Sequence, residues 1–268
     1  MNYKVIAFDL DGTLTNSQKI ISPKTKETIF KAMKKGAIVV LATGRPTSGV
    51  IHLAKELELD KYCGYILPFN GGKLISCKDN SLVSEYSMPQ DIIKDLYDFA
   101  KSENLGIITY KDDNIITENP DNKYSVIEAK ICNLNLKKVD DFKSFVDFKV
   151  PKCLMLHEPK ILEKAEQKAL EKFSDRLTIF RSEPFFLEFM PKGIDKSHAL
   201  ADLLKSLNLT KENLIACGDS YNDISMIKFA GLGVAMQNAR EEVIKIADVI
   251  AGHNDEDGLV PIIEKYLL

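Results

Sequence analysis

A chain of 268 residues with 45% hydrophobic and 28% charged residues has the make-up of one large or two modest globular domains, which excludes a disordered chain or a long coiled coil. Its net charge of −3, with no basic stripe, argues against a nucleic-acid binder. The longest apolar runs, such as 37–42, fall far short of the ~18–20 residues of a membrane span, and the first, Val5–Phe8, is too short for a signal peptide and is followed at once by Asp9 and Asp11.

Strand and helix alternate along the chain. Residues 3–8 form a short apolar run with Val5 and Ile6, as in a buried strand. Ser22 and Pro23 open a helix that carries Ile29, Phe30 and Met33 at helical spacing and stops at Gly36. A second buried strand is expected at 37–41, then a helix with Val50, Ile51, Ala54 and Leu57 on one face, then a strand at 65–67. Strand, helix, strand with right-handed crossovers is the pattern of a parallel sheet. The middle of the chain changes character. Asn70-Gly71-Gly72 is a turn signal between apolar runs. The 87–90 stretch has capping-box spacing and opens a helix with Ile92, Ile93, Leu96 and Phe99. A hairpin is expected at 106–110 and 114–118, a strand at 153–157, a helix at 159–173, and strands at 177–181 and 185–189. The polar, lysine-rich stretch 121–150 carries no clear period. The parallel pattern then resumes: a helix capped by Asp195, a strand at 213–217, a helix at 221–230, a strand at 232–236, a helix capped by Asn238 with Glu241, and a strand at 247–251. The expected fold is α/β: a Rossmann-like parallel sheet core, residues 1–82 plus 187–268, with an inserted α+β cap domain at 83–186.

The five cysteines (Cys63, Cys77, Cys132, Cys153, Cys217) are odd in number and lack C-x-x-C spacing, and the four histidines lack H-E-x-x-H spacing. Reduced thiols in a cytoplasmic protein are expected, and soft-ligand metal chemistry is not. Cys217 sits in a buried strand with no evident base, which disfavours a thiol nucleophile. His157 and Glu188 read as structural.

Ligands of open parallel sheets bind outside the carboxyl ends of the strands. Asp9-Leu10-Asp11-Gly12-Thr13 follows the first strand, Thr43-Gly44-Arg45 the second, and Gly218-Asp219-Ser220-Tyr221-Asn222-Asp223 the strand ending at Cys217. Lys196 lies in the first turn of the helix that Asp195 begins. Four acids at one sheet edge repel one another unless a cation sits among them, and hard oxygen donors suit Mg²⁺. Thr43, Lys196 and backbone amides near Gly12 and Gly44 supply donors for an anion. Metal, anion donors and a spare carboxylate make a phosphoryl-transfer site, in which one aspartate attacks phosphorus and a second exchanges the proton.

These segments resemble the four motifs of the haloacid dehalogenase superfamily, and the resemblance runs along the whole chain. The insertion after the second motif, with Gly193-Ile194-Asp195-Lys196 leading to the third, is similar to the Cof-like sugar-phosphate phosphatases. The residues around the lysine, Asp195 and Ser197, depart from the usual flanking pattern. The resemblance implies that Asp9 is the nucleophile and a magnesium ligand. Asp11 would be the general acid/base and bind magnesium through its backbone carbonyl. Leu10, Thr43, Gly44, Lys196 and Asn222 would hold the phosphoryl group, Asp219 would bind magnesium directly, and Asp223 directly or through water. Arg45 either reaches substrate or pairs with a neighbouring acid, and Asn70 either makes a hairpin turn or lies near the cleft.

The expectation is therefore an Mg²⁺-dependent phosphatase of small phosphorylated metabolites, with sugar phosphates foremost, working as a monomer or homodimer. The insert would close over substrate, exclude water and select the leaving group. The alternatives are a phosphomutase of the same superfamily, which returns the phosphoryl group to a sugar, and a non-enzymatic phosphate-binding module. A transport ATPase is disfavoured by the lack of a membrane span and by Asp11. A dehalogenase would not need the set Asp11, Asp219 and Asp223.

Overall fold

The computed structural model describes residues 3–268. Strand β1 (Val5–Phe8) is buried along its whole length, as a central strand covered on both faces must be. Helix α1 (Pro23–Lys34) starts at Ser22, whose hydroxyl accepts from the Thr25 amide, and the chain turns away at Gly36, with φ +95°. Strand β2 (Ile38–Ala42), helix α2 (Ser48–Glu56) and strands β3 (Tyr65–Leu67), β4 (Lys73–Ser76) and β5 (Leu82–Glu85) follow. β1, β2 and β3 pair in parallel, and β4 turns back antiparallel to β3 after a single tight 3₁₀ turn over Phe69–Gly71.

The inserted segment holds α3 (Gln90–Ser102), β6 (Gly106–Lys111), β7 (Asn114–Thr117), α4 (Lys123–Cys132), β8 (Asn135–Lys138), α5 (Phe142–Phe145), β9 (Cys153–Leu156), α6 (Pro159–Phe173), β10 (Leu177–Glu183) and β11 (Phe186–Pro191). Its sheet runs β10-β11-β9-β6-β7-β8, antiparallel except for the β7–β8 pair that α4 connects. One face packs Ile107, Met155, Leu187 and Phe189 with Ile92, Leu96, Phe99 and Leu162 of the helices. The expected hairpin at 106–118 is β6–β7. The expected capping box at 87–90 is absent: α3 begins after Pro89 without a side-chain cap bond.

The first sheet then resumes with α7 (Lys196–Ser206), β12 (Leu214–Gly218), α8 (Ile224–Phe229), β13 (Leu232–Ala235), α9 (Glu241–Ile244), β14 (Val249–Ile250) and α10 (Val260–Leu267). Two helices differ from expectation. The one read at 221–230 opens with a 3₁₀ turn, Tyr221–Asp223, and α9 is preceded by Arg240 rather than capped by Asn238, whose side chain is used elsewhere. The sheet order is β14-β13-β12-β1-β2-β3-β4-β5, parallel from β14 through β3, with helices and apolar clusters on both faces. The chain leaves β1 toward β2 and returns through β12 on its other side, so the order reverses at β1. That reversal opens a crevice at the carboxyl ends of β1 and β12.

The contacts divide the chain into one unit running to Ser84 and resuming at Asp195, and a second unit of Glu85–Ile194. The expected return at 187 falls inside β11, which is hydrogen-bonded to β9 and β10 in the second sheet. Phe186, Leu187 and Phe189 form an apolar run like that of a core strand, and only the pairing partner tells which sheet it joins. No helix among the described residues is long and apolar enough to cross a membrane.

Candidate active site

The crevice collects the motif residues of the first unit. Asp9 follows β1 and is tied to β12 by its amide, which donates to the Cys217 carbonyl at 2.9 Å. Gly12, at φ +86°, turns the chain directly after. A Cβ there would stand 2.6 Å from Asp219 Oδ2, so the left-handed turn and the closeness of the Asp219 carboxylate together favour glycine. Thr13 Oγ1 donates to Asp219 Oδ1 at 2.7 Å, and Asn238 Nδ2 donates to the Gly12 carbonyl at 2.8 Å.

Lys196 is the first residue of α7, placed there by Asp195, whose side chain accepts from the His198 amide. Its side chain is fully buried, and Nζ lies 2.5 Å from Asp9 Oδ1 and 2.6 Å from Asp223 Oδ1. The other Asp223 oxygen accepts from the amides of Asp219 and Ser220 at 2.9 and 3.0 Å. Asp223 thus closes the loop after β12 and fixes where Asp219 points. Gly218 lets that loop fold tightly, since a Cβ on it would meet Asp223 Cβ at 2.4 Å.

Asp9, Asp219 and Asp223 each offer an oxygen within 4.8 Å of the others. Burial pushes the Asp9 carboxyl well above its ordinary range, Asp223 and Asp219 push it further, and Lys196 offsets only part of this. Burial and Asp223 push Asp219 up to about 6 against the Thr13 hydrogen bond. Burial alone would lower the Lys196 pKa; Asp223 and Asp9 overcome it and hold the ammonium charged. Three crowded carboxylates with one buried lysine remain short of positive charge. An all-oxygen donor set of this kind fits a hard divalent cation such as Mg²⁺ and suits a soft metal poorly.

On the β2 side, Thr43 is buried and its Oγ1 accepts from the Arg45 amide at 3.1 Å. The Asn70 amide donates to the Thr43 carbonyl at 2.9 Å, and Asn222 Nδ2 donates to Asn70 Oδ1 at 2.9 Å. Asn70 has φ 50° and is buried, and its amide group faces Gly44, where a Cβ would come within 3.2 Å of Asn70 Oδ1. The 69–71 turn therefore does both things considered for it: it joins β3 to β4 and brings Asn70 beside Thr43, Gly44 and Asn222. Leu10 is buried in the apolar core, with its carbonyl accepting from the amide and hydroxyl of Thr15.

Arg45 resolves toward the acid. Its Nε and a terminal nitrogen reach the two Asp11 oxygens at 2.8 and 2.6 Å, and Lys19 Nζ reaches Asp11 Oδ1 at 2.7 Å. Burial raises the Asp11 pKa, but the hydrogen bonds and charges of Arg45 and Lys19 outweigh it and leave the carboxyl below its usual range. Cys217 is buried and its thiol pKa is pushed up by desolvation, which removes it as a nucleophile.

Three contributors escape sequence reasoning. Asn238 follows β13, and the strand-end rule carried one strand further would have found it. Thr13 stands inside the first motif as an ordinary turn residue. Lys19 sits in a loop with no periodic signal.

Comparisons with known proteins agree with this fold. The family of haloacid dehalogenase-like hydrolases matches residues 6–263. A 5-amino-6-(5-phospho-D-ribitylamino)uracil phosphatase of Bacillus subtilis is 32% identical over 100% of this chain and 97% of its own. A haloacid dehalogenase-like hydrolase from Bacteroides thetaiotaomicron superposes with a TM-score of 0.93 at 42% identity, over 98% of this chain and 99% of its own. A sugar phosphatase of haloacid dehalogenase subclass IIB superposes with a TM-score of 0.85 at 25% identity, over 98% of both chains. The chain belongs to the haloacid dehalogenase-like hydrolases, in their Cof-like branch, and is a phosphoric monoester hydrolase.

Proposed function

We propose that the protein is an Mg²⁺-dependent phosphatase of small phosphorylated metabolites, sugar phosphates foremost, that works through an aspartyl-phosphate on Asp9. The observation that carries this reading is the buried Lys196 held between Asp9 and Asp223, with Asp219 in the same oxygen cluster. It joins a nucleophile, a charge neutraliser and a cation-binding set in one crevice.

Asp9 and Asp219 would hold Mg²⁺ directly, together with the Asp11 backbone carbonyl. Both Asp223 oxygens already take hydrogen bonds, so Asp223 orients Asp219 and would hold the ion directly or through water. When bound, such a cation would screen the phosphate charge so that the Asp9 carboxylate could approach it. Asp9 attacks phosphorus, forming an Asp9–phosphorus bond as the ester P–O bond breaks. The alcohol leaves with a proton from Asp11. Water then attacks phosphorus, Asp11 takes its proton, and the Asp9 carboxylate is released with inorganic phosphate. Lys196, Thr43 Oγ1, the Gly44 amide and Asn222, steadied by Asn70, bind the phosphoryl oxygens. Five free thiols and the metabolite substrate accord with a cytoplasmic enzyme.

The test is phosphate release from a panel of phosphorylated metabolites, with and without Mg²⁺, ranked by kcat/KM. Asp9→Asn should abolish turnover, by about three orders of magnitude or more, while the thermal transition is kept. Turnover by that variant would overturn the covalent route. Phosphate release that depends on a bisphosphate activator would point to a phosphomutase, and none on any substrate to a binding module.

A further inference from the structure

We propose that Asn238 is a positioning residue for the cation site: it locks the Gly12–Thr13 peptide so that the Thr13 hydroxyl holds the Asp219 carboxylate in place. This rests on the reading of Asp219 as a direct Mg²⁺ ligand and adds to it a residue outside all four motifs.

A ring of hydrogen bonds runs from the Asp219 backbone round to the Asp219 side chain. Asn238 lies in a turn directly after β13. The Met236 amide donates to the Gly218 carbonyl at 3.1 Å and the Arg240 amide to the Asp219 carbonyl at 2.9 Å, so the turn is tied at both ends to the segment that carries Asp219. From this turn Asn238 Nδ2 donates to the Gly12 carbonyl at 2.8 Å. The next residue, Thr13, is buried, and its Oγ1 donates to Asp219 Oδ1 at 2.7 Å, which closes the ring. The orientation of the Asn238 amide is fixed independently. The Asn254 amide donates to Asn238 Oδ1 at 3.1 Å, so the oxygen faces Asn254 and the nitrogen faces Gly12.

The lock matters because of the glycine. Gly12 stands at φ +86° without a side chain, and the peptide after such a residue can swing at little cost. At its other end that peptide is held weakly, since the Thr13 amide reaches the Leu10 carbonyl only at 3.4 Å. The Asn238 bond at the carbonyl end is therefore the stronger restraint. A swing of the peptide would carry the Thr13 hydroxyl off Asp219 and leave the carboxylate free to rotate. Removing a group that orients a metal ligand typically costs about 10–100-fold in metal affinity.

Asn254 supplies the control. Its side chain donates to the Thr15 carbonyl at 3.0 Å, so its removal loosens the same loop while the Gly12 contact stays. The experiment is calorimetric titration of Mg²⁺ into metal-stripped wild type, Asn238→Ala, Asn254→Ala, Thr13→Val and the double variant of Asn238→Ala with Thr13→Val. Asn238→Ala should raise the Mg²⁺ Kd about tenfold, and Asn254→Ala less than about twofold. Both should lower the metal-free melting midpoint by a few degrees, so that a loss of stability alone cannot account for the difference. Because Asn238 acts through Thr13, the double variant should bind Mg²⁺ within about twofold of Thr13→Val alone. An unchanged Kd in Asn238→Ala, an equal loss in Asn254→Ala, or a full further tenfold loss on top of Thr13→Val overturns the proposal. If wild type itself takes up no Mg²⁺, the cation reading of Asp219 fails and this inference falls with it.

Discussion

Each of the two units buries a lysine among carboxylates, and they do so differently. In the first unit Lys196 touches two acids at 2.5 and 2.6 Å, with a third in the same oxygen cluster, and burial with mutual repulsion drives Asp9 and Asp219 above their ordinary range. In the inserted unit Lys152 lies 3.4 Å from Glu188 and 5.3 Å from the centre of the Tyr110 ring. There Glu128 is satisfied separately, accepting from Tyr110 Oη at 2.5 Å and from the Cys132 thiol at 3.2 Å. Lys152 keeps its charge because Glu188 and Glu128 outweigh its burial. One cluster is crowded with acids and short of cations, and the other shares its carboxylates among a lysine, a phenol and a thiol. Buried charge by itself does not mark a reaction centre; among the described residues, the difference is that Asp9, Asp219 and Asp223 bring three carboxylate oxygens close enough to share one cation.

The largest effect should come from breaking the crowded cluster. Lys196→Met leaves Asp9 and Asp223 buried without their counter-charge. It should lower kcat/KM by about two to three orders of magnitude and cost about 3–5 kcal/mol of stability in metal-free protein. Mg²⁺ should return part of that stability, since a cation among the same oxygens replaces some of the lost charge. Urea unfolding with and without Mg²⁺ checks this. A stability loss indifferent to Mg²⁺ would mean that the carboxylates do not form a cation site.

The same substitution in the other cluster sharpens the contrast. Lys152→Met should destabilise by about 3 kcal/mol, near the lower end for a broken buried pair because the contact is long. Mg²⁺ should not restore it, but adding Glu188→Leu should, since the stranded carboxylate is then gone. Urea midpoints of the single and double variants, each with and without Mg²⁺, read this out. A double variant no better than the single one would show that Glu188 is not the group left stranded.

How much of this was legible in the sequence follows from how each part is encoded. Val5–Phe8 and Leu214–Gly218 are buried on both faces and read as continuous apolar runs, so the parallel core could be laid out in order. The stretch 121–150 could not. Helix α4 turns Tyr124, Ser125, Glu128 and Cys132 inward, a mostly polar set with no apolar stripe, and β8 is an edge strand of sequence Asn135-Leu136-Lys137-Lys138. Asp9, Thr43, Lys196 and Asp219 were legible because each directly follows a strand or begins a helix. The partners of Asp11 were legible in type only. Whether Arg45 turns to substrate or acid depends on side-chain geometry, and Lys19 is aimed by a left-handed turn that no residue pattern announced.

The smallest effect concerns pH, and its sign follows from Asp219. Its carboxyl is pushed from 3.8 to about 6 in the folded protein, so the folded state holds this proton more tightly than the unfolded one. Below about pH 4 both states are protonated and the group contributes nothing to the balance. As pH rises through 6 the folded state must carry a charge that burial and Asp223 disfavour, and stability falls. The raised Asp9 carboxyl acts in the same direction. Asp11 is depressed instead, so its stabilising share is lost only in stronger acid and is constant across this window. Metal-free protein should therefore melt about 2–5 °C higher at pH 5 than at pH 7.5. Asp219→Asn should flatten part of that slope, because an amide has no charge to bury. Mg²⁺ should raise the midpoint more at pH 7.5 than at pH 5, since at the lower pH it must displace a proton to bind. A melting point that climbs from pH 5 to 7.5 in chelator, unchanged by Asp219→Asn, would mean that the acids at the ends of β1 and β12 do not strain against one another and have no need of a cation.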